Sequence, residues 1–288
     1  MDGEAIDPTQ ATSPDLNRRA FVGFATALGA GAVAAPALAQ TAAPLGQPHP
    51  PLVPEDDPTI TVDCVHLDRS GVSMPAYAAW PKNAGPATGS VVVIMHVWGV
   101  DTSIRDVVRR LAKAGFAAIA PDLYARTDAP SGDGASDIAA FRPYAKQLDR
   151  TLYDGDAATA AEWLKSKFPG TKTGIIGFCM GGRIAMLAAI DNGARFAAVC
   201  PFYGPVEGVD PTAIRMPFCG SYGARDTGIP AASVRAFAAA LTVPHDLRIY
   251  DEAGHAFLDD ERSAYVASAA ADAWARTIAF LKKYTAGP

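Results

Sequence analysis

The feature that most constrains this chain is the run Gly-Phe-Cys-Met-Gly-Gly at 177–182. It follows an apolar, strand-like segment, Gly174–Phe178, and opens a helical pattern, Met180–Asn192, with Gly193 as the predicted C-terminal stop. A strand that turns sharply into a helix strains the backbone at the turn and leaves no room for side chains two positions away, which accounts for the glycines. We therefore predict a strand, a tight turn and a helix around Cys179.

This turn makes Cys179 a candidate nucleophile. Its sulfur would lie at the carboxyl edge of the sheet, where α/β folds bind their ligands. The unpaired N–H groups and the dipole of a helix N-terminus stabilise negative charge, so they favour thiolate over thiol. The alternative is a buried core cysteine at a glycine-rich strand end. The other motifs of the chain distinguish the nucleophile from the core cysteine.

Two further residues occur in the order that a nucleophile of this kind requires. In α/β-hydrolases the acid and then the base follow the nucleophile, each after a later strand. Asp226 follows the predicted strand Pro217–Ser221, and His255 follows Leu247–Tyr250. Imidazole can take up and release a proton near neutral pH, and a carboxylate can fix its tautomer. In isolation Asp226 could be a turn cap and His255 a surface loop residue, but together with Cys179 they predict a catalytic triad.

The remaining pattern predicts the fold. From Thr59 onward, short apolar runs alternate with helical patterns, which is typical of a parallel sheet with crossover helices. We predict one α/β-hydrolase domain over 59–288, with a mostly parallel central sheet and helices on both faces. Its strands are predicted at Ile60–Leu67, Met74–Trp80, Ser90–Val97, Ala117–Ala120, Gly174–Phe178, Ala197–Cys200, Pro217–Ser221 and Leu247–Tyr250.

Five helices are predicted between and after these strands. Ser103 and Asp106 resemble a capping box that opens the first helix, and Gly115 closes it. The other four are predicted at Asp154–Gly170, Met180–Asn192, Ala232–Leu241 and Ser263–Tyr284.

The first 39 residues differ from the rest and have the anatomy of a signal peptide. Arg18 and Arg19 precede a weakly apolar run, as in twin-arginine signals, and Ala37-Leu38-Ala39 predicts cleavage before Gln40. The export machinery of that pathway would then be a partner of the precursor, and the mature protein would be periplasmic or secreted. Several glycines and a proline interrupt the run, so we expect no stable membrane span. A retained anchor and a fortuitous Ala-rich helix are the alternatives.

Proline is dense between residues 40 and 58, where it excludes helix and favours extended, solvated backbone. We predict a tether over 40–58.

Composition excludes several classes of function. The chain has a formal net charge of -5 and no basic cluster in its body, so nucleic acid is not an expected partner. Its cysteines form no CxxC pair and do not cluster with histidine, so we predict no metal site. Cys64, Cys200 and Cys219 lie in strand-like runs and are expected to be small core residues. An oxidising compartment would also permit a bridge between Cys200 and Cys219.

Several separated motifs resemble the dienelactone hydrolase family: the run 177–182, the segment Ala120–Arg126, the pair Gly254-His255 and the tail Tyr265–Ala271. The similarity extends from about Val91 to the C-terminus. It implies a single α/β-hydrolase domain without cofactor that opens a lactone through a thiol acyl-enzyme. It also implies that Cys179, Asp226 and His255 form the triad and that Arg126 contacts a substrate carboxylate.

Acyl transfer needs backbone N–H donors for the oxyanion. By position these are Met180, directly after the nucleophile, and Val97, in the loop after the first central strand. The candidate substrate-binding side chains are His96, Trp98, Arg126 and Phe257.

Two positions depart from the family pattern. His96 stands where the family has a glutamate that interacts with the resting thiol, and Asp259 stands where a second carboxylate-binding arginine is expected. The replacement of this arginine by a carboxylate argues against a strong preference for an anionic lactone as substrate, although Arg262 or Arg225 could take the place of the arginine. A protonated His96 beside the sulfur would favour thiolate. The alternative is that His96 is a wall of the pocket.

The sequence therefore predicts a hydrolase of a small-molecule ester or lactone. A general carboxylesterase or thioesterase with a reshaped pocket is the second hypothesis, and Asp259 keeps it open. The third is a catalytically silent binding protein, because fold alone does not fix function.

Overall fold

Eight strands form one mixed sheet in the computed structural model, which describes residues 49–286. The spatial order is β1-β2-β4-β3-β5-β6-β7-β8; β2 runs antiparallel to both of its neighbours, and the other pairs are parallel. The strands are β1 Ile60–Arg69, β2 Val72–Pro81, β3 Ser90–Ile94, β4 Ala117–Pro121, β5 Thr173–Phe178, β6 Phe196–Phe202, β7 Phe218–Gly223 and β8 His245–Tyr250.

Helices cover both faces of this sheet. Gly174 and Gly177 lie three positions apart on β5, so they face opposite sides. A Cβ at Gly174 would lie 2.6 Å from Leu281 of the last helix, whereas a Cβ at Gly177 would lie 2.1 Å from the Gly181 carbonyl oxygen. The helices are α1 Thr102–Lys113, α2 Ile138–Ala145, α3 Arg150–Lys167, α4 Met180–Asp191, α5 Ala231–Ala240 and α6 Ala267–Thr285.

The predicted fold class is confirmed, and each of the eight predicted strands corresponds to a strand of the sheet. Central strands β3 and β5 are buried along their whole length, as their apolar sequences require. Helix α2 was not predicted. It has only Phe141 buried and contains Pro143, so it lacks the apolar stripe that marks a packed helix in sequence.

The predicted capping box at the start of α1 is wrong. The N-cap is Asp101, whose carboxylate accepts a hydrogen bond from the Ile104 backbone N–H at 3.1 Å. Asp106 instead accepts the backbone N–H groups of Leu52 and Val53, at 3.0 and 2.9 Å. The prediction that Gly115 closes this helix agrees with its φ of +99°.

Those contacts bring part of the predicted tether onto the domain. Val53 is buried, and its carbonyl accepts a hydrogen bond from Arg109 Nε. The His49 backbone N–H donates to the Asp260 carbonyl at 2.7 Å. Residues 49–53 are therefore packed against the sheet domain, which differs from the solvated backbone that proline content predicted.

The predicted signal peptide, residues 1–39, and the tether up to residue 48 lie outside the described residues. Within residues 49–286 we find no helix of the length and apolar character needed to cross a membrane.

Three cysteines away from the turn at 179 are free thiols. Cys200 on β6 and Cys219 on β7 are buried, as their assignment to the core predicted. Because both thiols are free, the alternative of a disulfide between them is wrong. Cys64 is exposed, which contradicts its assignment to the core. It lies on edge strand β1, where one face of the sheet meets solvent.

Candidate active site

Cys179 lies between β5 and α4 in a strained backbone conformation, with φ 55° and ψ −123°. Positive φ is uncommon for a residue other than glycine and clusters at functional sites. The surrounding glycines allow backbones to approach: a Cβ at Gly181 would lie 2.2 Å from the Met95 carbonyl oxygen, beyond the end of β3. The turn itself is fixed by the Cys179 N–H, which donates to the Phe202 carbonyl at 3.1 Å. The predicted strand, turn and helix therefore present the thiol at the carboxyl end of β5.

The structure brings together the three residues that the sequence predicts as a triad. His255 Nε2 lies 3.0 Å from Cys179 Sγ, and His255 Nδ1 lies 2.7 Å from Asp226 Oδ2. Both distances are within hydrogen-bond reach, so one imidazole links the thiol to the carboxylate.

The carboxylate of Asp226 is held from its other side. Its Oδ1 accepts the backbone N–H groups of Gly228 and Ile229, at 2.8 and 3.0 Å. The side chain is almost fully buried, at 2% exposure. Since Oδ1 is committed to these two donors, Oδ2 is the oxygen directed at the imidazole.

The surroundings of His255 favour its charged form. Burial disfavours the imidazolium, but hydrogen bonds with Asp226 and Cys179 outweigh burial and raise the pKa to about 10. The folded-state pKa thus lies above the ordinary histidine pKa of 6.5.

A raised pKa implies a pH dependence of folding stability. The contribution of this imidazolium should be fully present below about pH 6.5 and be lost as the pH rises through about 10. The free energy of unfolding, measured by denaturant titration across this range, should therefore fall more in the wild type than in His255→Gln. Parallel curves for the two proteins would contradict the shift.

The two predicted oxyanion donors belong to neighbouring strand ends. Met180 begins α4 directly after β5, and β5 pairs with β3 through Gly177 and Ile94. The loop after β3 is fixed by Gly99 N–H, which donates to the His96 carbonyl at 3.1 Å. The carbonyl of Val97 accepts the Tyr124 hydroxyl at 2.9 Å. The backbone on which the second donor depends is therefore held by contacts on both sides.

His96 is buried between two carboxylates. Its Nε2 lies 2.9 Å from Asp101 Oδ1, and its Nδ1 lies 3.6 Å from Asp259 Oδ2. Burial disfavours the charged ring, but Asp101, Asp259 and Cys179 together raise its pKa. Cys179 is close enough to contribute to this shift. Both ring nitrogens lie within ion-pair distance of a carboxylate, but Nε2 has no partner in hydrogen-bond geometry.

Trp98 and Arg262 form one wall next to this histidine. The Arg262 guanidinium lies over the Trp98 ring, 4.2 Å from its centroid, and the Phe141 ring packs against Trp98 at 5.2 Å. Trp98 thus remains a candidate contact for substrate, and the unpredicted helix α2 supports it through Phe141.

Two candidate substrate residues are engaged elsewhere. Both terminal nitrogens of Arg126 bind the buried carboxylate of Asp156, at 2.8 and 3.0 Å, so the fork expected to bind a substrate carboxylate is already occupied. Phe257 is fully buried and packs against Tyr203 and Tyr250. Its prediction as a substrate contact does not fit this position, because the ring belongs to the core beneath the histidine loop.

Tyr203 is a site residue that sequence reasoning missed. It follows β6 with φ 39°, is buried, and packs edge-on against the His255 ring at 5.2 Å. The available signal was its place directly after a predicted strand, at the same sheet edge as Cys179. An aromatic residue there is more often a core residue, so the pattern alone did not single it out.

The model of the dienelactone hydrolase family matches residues 74–285 of this chain. The chain belongs to the dienelactone hydrolase family. The protein is a hydrolase of the dienelactone hydrolase type, and the matched segment contains the three residues predicted as the triad.

Relatives of this family cover most of the chain. An Escherichia coli K12 protein named "Putative carboxymethylenebutenolidase" is 34% identical over 248 residues, covering 81% of this chain and 91% of that protein. A Bradyrhizobium protein named "Probable 2-oxo-3-(5-oxofuran-2-ylidene)propanoate lactonase" is 32% identical over 246 residues, covering 80% and 97%. The crystal structure of a Klebsiella pneumoniae protein titled "Putative Dienelactone Hydrolase" has a TM-score of 0.72 and 31% identity, covering 78% of this chain and 99% of that one.

A groove of about 540 Å³ lies away from the triad. It is lined by the amino ends of β5 and β6, with Lys165, Arg195 and Arg215 among its side chains. Cys179 lies at the carboxyl end of β5, so the groove belongs to the opposite edge of the sheet. Among residues 49–286, no group of three or more His, Cys, Asp or Glu side chains is arranged to hold a metal ion.

Proposed function

We propose that this protein hydrolyses a small carboxylic ester or lactone with Cys179 as nucleophile, His255 as base and Asp226 as the acid that orients the base. The observation that carries the proposal is the continuous line of contacts from Sγ to Nε2, 3.0 Å, and from Nδ1 to Oδ2, 2.7 Å. A strained nucleophile backbone is additional support, since such strain persists where the surrounding structure enforces it.

In the first half of the reaction His255 Nε2 holds the proton as an imidazolium, in keeping with its raised pKa, and the Cys179 sulfur attacks the carbonyl carbon as the paired thiolate. The N–H groups of Met180 and Val97 would stabilise the oxyanion that forms. The carbon–oxygen bond to the leaving group then breaks, and Nε2 returns its proton to the leaving oxygen.

In the second half a water molecule attacks the thioester carbonyl and loses a proton to His255 Nε2. The carbon–sulfur bond breaks, the sulfur leaves as thiolate, and the proton stays on His255 Nε2, which restores the starting pair. An ester releases its alcohol after the first half. A lactone keeps its leaving hydroxyl tethered to the acyl group, so a single hydroxy acid is released after the second half.

The names of the relatives favour a lactone, because one is called a lactonase and the other a carboxymethylenebutenolidase. The charges around the site argue against a strongly anionic one. Arg126 is committed to Asp156, and the buried Asp259 adds negative charge near the thiol. Arg262 is the remaining candidate for an anionic group, although Asp259 at 3.5 Å already partly neutralises it.

A general carboxylesterase or thioesterase is the second candidate, and Asp259 is the feature that favours it. A catalytically inactive binding protein on the same fold is the weaker hypothesis. Binding alone does not require a thiol on a strained backbone in line with an imidazole and a carboxylate.

The proposal is tested by assaying a chromogenic short-chain ester, a matched thioester and an unsaturated γ-lactone, each with and without prior iodoacetamide. We expect hydrolysis that iodoacetamide abolishes, with the highest kcat/KM for the lactone. A preference for the ester or thioester would favour the second candidate. Turnover that survives complete alkylation of Cys179, verified by mass spectrometry, would refute the thiol mechanism.

Hydrolysis should not require a metal, because the proposed chemistry uses a thiol and an imidazole in place of a metal-activated water. Dialysis against EDTA should leave kcat/KM unchanged. If the chelator abolished activity and added zinc restored it, the site would have been misassigned.

We further propose that the protein is exported as a twin-arginine precursor and that its mature form begins at Gln40, in the periplasm or medium. Arg18 and Arg19 are the basis of this proposal. Amino-terminal sequencing of protein from cell fractions tests it, with Arg18→Lys/Arg19→Lys as the variant that should remain cytosolic. Intact residues 1–39 on wild-type protein found only in the cytosol would overturn it.

A further inference from the structure

A compact cluster of buried charge lies beside the thiol and is not used in the mechanism above. It consists of His96, Asp101, Asp259 and Arg262. The imidazole lies between the two carboxylates, and Arg262 approaches both of them, at 3.5 Å from Asp259 and 3.9 Å from Asp101. His96, Asp101 and Asp259 are each at most 4% exposed. Buried charges are tolerated only when they are paired, so this cluster has to be kept intact.

The cluster joins two loops that the proposed mechanism depends on. Asp101 ends the loop 96–101, which contains the candidate oxyanion donor Val97, and it caps α1. Asp259 belongs to the loop that follows His255, in a turn where its N–H donates to the Ala256 carbonyl at 3.0 Å. These loops lie more than 150 residues apart in the sequence, and His96 contacts an acid from each.

We propose that His96 is a positioning residue whose imidazolium bridges Asp101 and Asp259, so that it holds the oxyanion loop and the histidine loop in register across the thiol. The bridge rests on the proposed function for its catalytic effect, but not for its structural effect. Because each ring nitrogen lies within ion-pair distance of a carboxylate, His96 acts on Cys179 through loop position and not through a hydrogen bond to the sulfur.

The charge balance supports an imidazolium over a neutral ring. A neutral His96 would leave two buried carboxylates with Arg262 as their counter-ion. Burial, and then the neighbouring Asp101 and Asp259, raise the pKa of the adjacent Glu261 to about 7, so both carboxylates act on a further acid beside the cluster. Two further groups face the cluster: Cys179, which acts on His96, and the buried Tyr203, whose pKa is raised by burial and by Asp259, Cys179 and Asp101.

Hydrogen exchange measured by mass spectrometry tests the bridge without reference to activity. In His96→Gln, amide exchange should rise about tenfold or more in both 97–101 and 256–262, while the core strands keep their protection. In Asp259→Asn only 256–262 should loosen, because His96 and Asp101 still hold the other loop. The double variant His96→Gln/Asp259→Asn keeps the buried charge balanced, which guards against misfolding, and it should again loosen both loops.

Kinetics supply the second readout. In His96→Gln we expect kcat to fall about tenfold to a hundredfold with KM within about threefold, since oxyanion donors act mainly in the transition state. The pH profile of iodoacetamide alkylation should stay unchanged. Arg248→Gln, which removes a pair with Asp272 that is exposed on both sides, is the control and should change none of these quantities.

The bridge is overturned if His96→Gln loosens only one loop or neither. It is also overturned if the alkylation profile shifts while exchange stays at the wild-type level, because His96 would then act directly on the thiolate. Measuring exchange in Cys179→Ala with and without His96→Gln separates this proposal from the proposed function. Joint loosening should persist there, even if the ester and lactone assays were to disprove the hydrolytic mechanism.

Discussion

Cys179→Ala is expected to lower kcat/KM for the preferred ester or lactone by about 10⁴-fold or more. Without Sγ no acyl-enzyme can form, and what remains is binding and oxyanion stabilisation acting on direct attack by water. Steady-state kinetics measure the loss. Mass spectrometry after rapid quenching should detect an acylated wild-type protein and no acylated variant.

Two other cysteine variants sharpen this test. Cys64→Ala removes an exposed thiol on edge strand β1, which is four positions from β5 in the sheet order, and it should keep kcat/KM within about twofold. Cys179→Ser should remain a poor enzyme, because its alkoxide is much harder to form than a thiolate in a site arranged for sulfur. Wild-type hydrolysis by Cys179→Ala would refute the nucleophile assignment.

Asp226→Asn should lower kcat by about 10⁴-fold while leaving the fold intact. The reason lies in the committed Oδ1, which accepts the N–H groups of Gly228 and Ile229. An asparagine that preserves those two bonds must direct its NH₂ group at His255 Nδ1. The imidazole then has to accept at Nδ1 and carry its proton on Nε2, so it can no longer receive the proton of Cys179.

The measurement is kcat across pH, together with the melting temperature to separate catalysis from stability. Asp210→Asn is a matched control, because Asp210 is also a carboxylate that accepts backbone and hydroxyl donors in a turn, but it is exposed and away from the triad. It should retain wild-type kcat. A loss of less than about tenfold in Asp226→Asn would show that this carboxylate does not govern the imidazole tautomer.

The sheet and the triad could be predicted because their determinants are local. Most strands are short apolar runs, Cys179 follows its strand directly, and Asp226 and His255 come three and five residues after the ends of theirs. Parallel strands bring those ends to one edge, so order along the chain predicts proximity in space.

Pairings between distant side chains could not be predicted in this way. Arg126 is a plausible anion contact in sequence, but the partner that occupies it, Asp156, lies 30 positions away on a helix. The bridge from His96 to Asp259 joins residues whose separation carries no pattern. Helix α2 was not predicted for a different reason. It is a local element, but it has almost no apolar face, so its sequence lacks the periodic pattern that indicates a helix.

The positive φ of Cys179 also restricts how this enzyme can evolve. A left-handed backbone conformation crowds Cβ against the neighbouring carbonyl, and a second branch at Cβ makes the crowding worse. Threonine is therefore excluded from position 179 although it carries a nucleophilic hydroxyl, whereas serine and cysteine differ there by a single unbranched atom. The lineage can thus exchange a thiol for an alcohol by one codon change without rebuilding the turn, and the choice between the two chemistries falls to the residues around the site.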